Sequence, residues 1–347
     1  MTSRFDFEAA RRAGQGIVRR TPLLPAVELS ERLGVDVRVK VECLQVTGSF
    51  KVRGAASRLV ALTPDERARG VIACSSGNHG RAVAFVAERL GIPATVYVPR
   101  WVDPVKLEGI RAQGAEAVLA GETFDEAEAL AVADAERSGR PYVSAYDDPW
   151  VIAGQGTLAG EILEQLGETP SAVLAPLSGG GLLGGIAAAL RDRLGAGRTR
   201  CVGVSAINAA VMHASIRVGR PVTLPERETL ANALAGGIGL DNRHSFGLIR
   251  DLVGDHVMVD ESAIAGAMSY CARRLRLVVE GGGAVALAAL LDGVWQPADG
   301  QRGPVVVVLS GGNVSMDVLV RVLGTVPGAS GVIRGAAPRP VDPGPAS

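Results

Sequence analysis

The chain has 347 residues, with 36 Lys+Arg balanced by 36 Asp+Glu, and is 47% hydrophobic and 21% charged. Zero net charge provides no field to draw nucleic acid or an anionic membrane surface, and the apolar share excludes wholesale disorder. Forty-five glycines without a three-residue period exclude collagen and suggest many tight turns or places where backbone approaches a ligand.

In chain order, the start MTSRFDFEAARRAG is charged and lacks an apolar h-region, so no secretory leader is expected. The segment KVECLQVTGSFKVRGA places Lys51 after Ser49 and Phe50, at the head of a helical stretch from Val52 to Leu62. Residues 70–99 form a βαβ unit: strand VIACS, turn SSGNHG, helix RAVAFVAERLG, strand ATVYVP. KLEGIRAQGAEAVLA adds a helix and a strand ending near Ala120, and a further helix runs from Trp150 to Leu166. At Ser171 a second family of units starts: strand SAVLAPL, turn SGGGLLGG, helix IAAALRDRL, strand RCVGVSA. The longest aliphatic run, Ala284 to Leu291, is too short to span a bilayer. A third unit follows: strand PVVVVLS, turn SGGN, helix VSMDVLVRVLG.

Alternating strands and helices imply an α/β protein with mostly parallel sheets covered on both faces. Two sheets fit better than one. Residues 1–69 and 147–334 would form a large cofactor-binding domain and 70–146 an inserted small one. The Pro/Gly/Ala-rich residues 335–347 would be a disordered tail. Cys43, Cys74, Cys201 and Cys271 form no CxxC and read as reduced thiols of a cytoplasmic protein. His79, His213, His244 and His256 show no metal-ligand spacing, so no metal site is expected.

Ligands of parallel sheets bind outside the carboxyl ends of the strands. Three polar or Gly-rich turns sit at such ends: 75–80, 178–185 and 310–313. Each alone could be a plain chain reversal; three together, each opening a helix, point to a shared anionic ligand. Gly179, Gly181 and Gly184 satisfy GxGxxG, so a dinucleotide site is the rival. That reading needs an acidic residue at the end of the next strand, where Ser205 stands instead. A cup of backbone N–H groups gripping one phosphate fits better. Lys51 alone reads as a solvated surface charge. Beside Phe50, Gly48 and a phosphate cup it reads as an amine in an apolar pocket, able to form a Schiff base.

The motifs TGSFKVRGA, SSGNHGRAVA, VIAGQGT, SGGGLLGGIA, EGGGAVALAA and VVLSGGN occur in one order from about Thr21 to Leu323. In this the chain resembles the fold type II pyridoxal-phosphate enzymes (tryptophan synthase β-like architecture), nearest the threonine/serine dehydratase and serine racemase branch. The resemblance implies pyridoxal 5′-phosphate as cofactor, with Lys51 holding it covalently and removing the Cα proton. Phe50 would pack beside it, and Asn78 would hydrogen-bond its 3′-oxygen. Gly179, Gly180, Gly181 and Leu182 would cradle its phosphate, Ser310 would face its ring nitrogen, and Glu280 and Gly239 would lie close to the ring. Ser75, Ser76 and His79 would meet the substrate carboxylate, with Ser76 exchanging a proton on the opposite face of Cα.

A neutral serine at the ring nitrogen makes a weaker electron sink than a carboxylate partner. That favours elimination of a β leaving group: a β-hydroxy α-amino acid of the threonine, serine or hydroxyaspartate type would give a 2-keto acid and ammonia. Racemisation and β-replacement are the alternatives on the same fold, and a non-catalytic amino-acid sensor is the alternative from another class. The stretch GGIGLDNRHSF (236–246) is similar to hydroxyectoine-utilisation dehydratases, which adds a hydroxyectoine-derived substrate and makes Asp241, Arg243 and His244 substrate-facing candidates. Ser205, Ala209 and Val211 stand where relatives carry a cation site, so no such site is expected. A homodimer is expected from the family, and the C-terminal regulatory domain that some threonine dehydratases carry is expected to be absent. The partners expected are a small amino acid only, with no nucleic acid and no membrane.

Overall fold

The computed structural model describes residues 5–325, except 76, 101, 103, 299, 301 and 302. The expectations for Ser76 and for the 335–347 tail therefore lie outside the described residues.

Among the described residues, nine strands form two sheets. The larger comprises β1 (Leu23–Pro25), β2 (Val37–Val41), β6 (Ala172–Pro176), β7 (Arg200–Ala206), β8 (Asp255–Val259) and β9 (Val305–Leu309), in the order β1-β2-β9-β6-β7-β8. All its pairings are parallel except β1 with β2. The short β1, not foreseen from the sequence, sits at the edge, where Pro25 costs no ladder bond. Central β9 pairs Val39↔Val307 on one side and Leu174↔Val307 on the other. It is VVVVL because both of its faces are covered.

Alternate residues serve two cores. Val305, Val307 and Leu309 pack with the helix Gly281–Leu291 on one face. Val306 and Val308 pack on the other with helices Pro149–Leu166 and Gly181–Leu194. Each such side chain contributes roughly 1.5–3 kcal/mol of burial. The apolar run at 284–291 is the core of a helix buried from Gly281 to Leu290. Among the described residues no helix is long and apolar enough to cross a membrane.

The smaller sheet, β3 (Val71–Cys74), β4 (Ala94–Val98) and β5 (Glu116–Leu119), is parallel in the order β3-β4-β5. Its core recruits Val52, Ala55, Ala56 and Leu59 from the helix Lys51–Val60. The head of that helix is tied to the larger sheet, where the Phe50 N–H donates to Ser310 O at 3.0 Å. One helix thus carries its first residue, Lys51, to the seam between the sheets.

Two helices begin earlier than the sequence suggests. The helix Asn78–Leu90 starts inside the SSGNHG turn, and Gly181–Leu194 starts inside the glycine run. Glycines 181, 184 and 185 read as turn formers, yet only Gly180 makes the turn, at φ +83°. The others are helical because this helix runs so close to Pro149–Leu166 that a Cβ on Gly185 would overlap Ile152 O.

Candidate active site

A cavity of about 440 Å³ opens at the carboxyl ends of β3, β6 and β9. Lys51, Phe50, Ser75, Asn78, His79, Gly179, Gly180, Gly181, Leu182, Glu280 and Ser310 all line it. Gly239 does not; Gly237, two residues before it, does. The 236–246 loop otherwise turns away, and Asp241, Arg243 and His244 stand outside the wall.

Lys51 Nζ donates to Ala145 O at 2.8 Å and lies 5.2 Å from the centroid of the Phe50 ring. Burial disfavours the ammonium and brings the amine down to about 8, with the charge of Glu280 opposing the shift. A lysine so placed is a base and nucleophile near neutrality rather than a surface charge.

Across the cavity, the helix Gly181–Leu194 opens with N–H groups that have no acceptor inside the helix. Together with the helix dipole they could hold an anion. Gly180 supplies the left-handed corner.

Asn78 Nδ2 donates to Glu280 Oε1 at 2.5 Å, and Asn78 Oδ1 accepts from Asn313 Nδ2 at 2.6 Å. Glu280 precedes the helix Gly281–Leu291, and its N–H donates to Gly311 O at 3.0 Å. Ser310 follows β9 and is buried against the cavity. The Ser75 hydroxyl accepts from the Gly77 N–H at 3.1 Å, so it also braces its own turn. The His79 ring points away: its Nε2 donates to Val143 O at 2.8 Å. Burial and the charge of Lys51 lower its pKa to about 3. A neutral ring committed at Nε2 has no N–H left for a carboxylate, so His79 can meet one only through its main chain.

Four contributors escaped the sequence reading. Tyr146 occupies the space that Cβ atoms on Gly179 and Gly181 would fill, and it lines the cavity with Phe124, Asn313 and Arg81. Tyr146 opens the run YDDP (146–149), which is dehydratase-like in sequence, and the structure assigns its two aspartates local partners. Asp147 accepts from the main-chain N–H groups of Arg243, His244 and Ser245, and Asp148 caps Pro149–Leu166. Ser205 is buried and donates to Leu177 O at 2.7 Å. Among the described residues no cluster of three or more His, Cys, Asp or Glu is gathered.

Comparison with known proteins places this geometry. A family model described as pyridoxal-phosphate dependent enzyme matches residues 15–311. An L-threonine ammonia-lyase of Geobacter sulfurreducens is 42% identical over 302 residues, covering 87% of this chain and 73% of the relative. A solved threonine deaminase from T.th. superposes with a TM-score of 0.80 at 38% identity, covering 89% and 97% of the two chains. Maize serine racemase gives a TM-score of 0.84 at 32% identity, covering 91% and 96%.

Proposed function

Because the chain belongs to the pyridoxal-phosphate-dependent enzyme family, we propose that it is an ammonia-lyase that dehydrates a β-hydroxy α-amino acid such as threonine or serine to a 2-keto acid and ammonia. The fold is that of the fold type II enzymes of this family, and the cofactor is pyridoxal 5′-phosphate. The described residues fit that group. A buried amine faces a cavity of about 440 Å³, and a helix N-terminus with a glycine corner suits a phosphate dianion.

When bound, pyridoxal phosphate supplies an electron sink conjugated to the substrate Cα. Lys51 holds and moves the proton at Cα, which its lowered basicity suits to neutral pH. The N–H groups of Gly179 to Leu182 anchor the phosphate end. Asn78 would hold the ring's oxygen side, and the neutral Ser310 hydroxyl would meet its nitrogen. Phe50 and Tyr146 keep water from the reacting face. Ser75 and the main chain of Gly77 to His79 receive the substrate carboxylate, and the role proposed for Ser76 is proton exchange on the opposite face of Cα. Loss of the Cα proton and of the β-hydroxide leaves an enamine, which takes up water to give the keto acid and ammonia.

The observation that carries the reading is the buried Lys51 amine facing the glycine-opened helix across one cavity. A keto-acid release assay on threonine, serine, 3-hydroxyaspartate and a hydroxylated diaminobutyrate tests it. Keto acid from at least one is expected; racemised substrate without keto acid would overturn it. The four buried, free cysteines suit a reducing compartment, and a cytoplasmic homodimer belongs to the same proposal, as does the inserted small domain at 70–146. Sedimentation of the holoenzyme tests the dimer.

A further inference from the structure

We infer that Asn313 is a positioning residue, fixing which end of the Asn78 amide meets the cofactor, and that Arg81 sets the direction of Asn313 in turn. This rests on the pyridoxal-phosphate reading above.

Three partners specify one orientation of the Asn313 amide. Its Oδ1 accepts from Arg81 Nη1 at 2.8 Å. Its Nδ2 donates to Thr47 O at 2.9 Å and to Asn78 Oδ1 at 2.6 Å. Flipping the amide would set its oxygen against two acceptors and its NH₂ against a guanidinium, which only donates. The backbone is shaped around this group: Gly48 has φ +78°, and a Cβ there would overlap the Asn313 amide oxygen.

The consequence passes to Asn78. With Oδ1 taken by Asn313, its NH₂ must face the cavity side, where one hydrogen goes to Glu280 Oε1 at 2.5 Å. The other N–H is left for an acceptor in the cavity. The chain Arg81→Asn313→Asn78→Glu280 therefore runs one way, from a group that only donates to a carboxylate that accepts. It also crosses the seam. Asn78 and Arg81 lie on the helix behind the smaller sheet, while Asn313 and Glu280 belong to loops at the end of the larger one. A cofactor oxygen on this side therefore meets a donor whose direction is fixed by Asn313 and, through it, by Arg81.

The test uses the apo-protein and the holoenzyme of the parent and of Asn313→Asp, Asn313→Ala, Arg81→Lys and Arg81→Met. Two quantities are read: the Kd for pyridoxal phosphate, and the pH titration of the bound cofactor's visible absorption. Asn313→Asp keeps its partner Arg81 but offers Asn78 only acceptors, which turns the Asn78 oxygen toward the cofactor. A Kd weakened by about tenfold or more and a displaced spectral midpoint are expected. Asn313→Ala leaves Asn78 free to choose and should lose roughly threefold. Arg81→Lys should resemble the parent, and Arg81→Met should shift the spectrum in the same sense as Asn313→Asp. Equal losses for Asn313→Asp and Asn313→Ala, or a parent-like Kd and midpoint for Asn313→Asp, would overturn the inference. Should Asn313→Asp fail to fold by circular dichroism, an unshifted Arg81→Met spectrum does the same. A parent protein that binds no pyridoxal phosphate defeats the underlying reading instead.

Discussion

The Tyr146 ring occupies the space that a Cβ on Gly179 would fill. The proposed phosphate cup is therefore bounded by a side chain, and its first glycine is fixed by that contact. Gly179→Ala should displace the ring or the loop, at a cost of about 1–3 kcal/mol of overpacking. We expect a lower melting temperature and pyridoxal-phosphate affinity weakened by roughly tenfold. An equilibrium titration of the apo-protein decides; a parent-like Kd would mean that Tyr146 yields freely.

As the proposed cofactor-holding lysine, Lys51 should determine how fast cofactor is captured. Its amine is brought from 10.5 to about 8 by burial, so at pH 7 roughly a tenth of it is neutral, some 300-fold more than for an ordinary lysine. Capture needs the neutral amine. The rate of holoenzyme formation should rise as pH climbs toward about 8 and level off above it. Stopped-flow absorbance between pH 6 and pH 10 measures this. A rate still rising tenfold per unit at pH 9 would contradict the lowered value. Lys51→Ala should form no borohydride-stable adduct.

Ser310→Asp should change the course of reaction more than it changes retention of the cofactor. In the proposed site the glycine cup would anchor one end and residue 310 would set the charge at the other. A carboxylate there would hold a proton on the ring nitrogen and stabilise the carbanion at Cα. Slower keto-acid release and more deuterium exchanged at Cα per turnover are expected. Unchanged partitioning would remove Ser310 from the ring nitrogen.

Beneath the site lies a buried ionic network. Arg53 meets Glu42 at 2.7 Å and Glu161 at 2.7 Å, and the fully buried Lys40 meets Glu161 at 2.6 Å. Burial opposes the Glu42 charge, but the Arg53 guanidinium outweighs it and holds the carboxyl below its usual value. Arg53→Met leaves Glu42 buried without its cation and should cost about 3–5 kcal/mol. Lys40→Met leaves Glu161 still paired with Arg53 and should cost less. Urea unfolding ranks the two; the reverse order would refute this division. Because a carboxyl held low loses its contribution as pH falls, the parent should lose stability below about pH 4 through Glu42.

Much of the site is legible in the sequence because each motif is local. A strand, a turn and a helix start fit within ten residues, so Lys51, Asn78, the glycine cup and Ser310 each announce themselves. What joins them is not local. Asn78 finds Glu280 across 202 residues and Asn313 across 235, and no periodicity encodes such a meeting. Tyr146 looks like an ordinary loop residue until the glycines it covers are in place. His79 shows the converse: its position in the motif is informative, but its ring is claimed by Val143. The glycine run misplaced a helix start, because close helix packing and chain reversal select the same residue.

The central position of β9 also orders events during synthesis. β9 lies between β2 and β6, yet its residues leave the ribosome long after both. Until Val305–Leu309 emerges, β2 and β6 have no common neighbour, and the helix Gly281–Leu291 lacks the middle of the sheet that buries it. The smaller sheet has no such wait, since β3, β4 and β5 follow one another within fifty residues. Nascent chains stalled short of Val305 should therefore resist protease across 71–98 while remaining cleavable at 37–41 and 172–176.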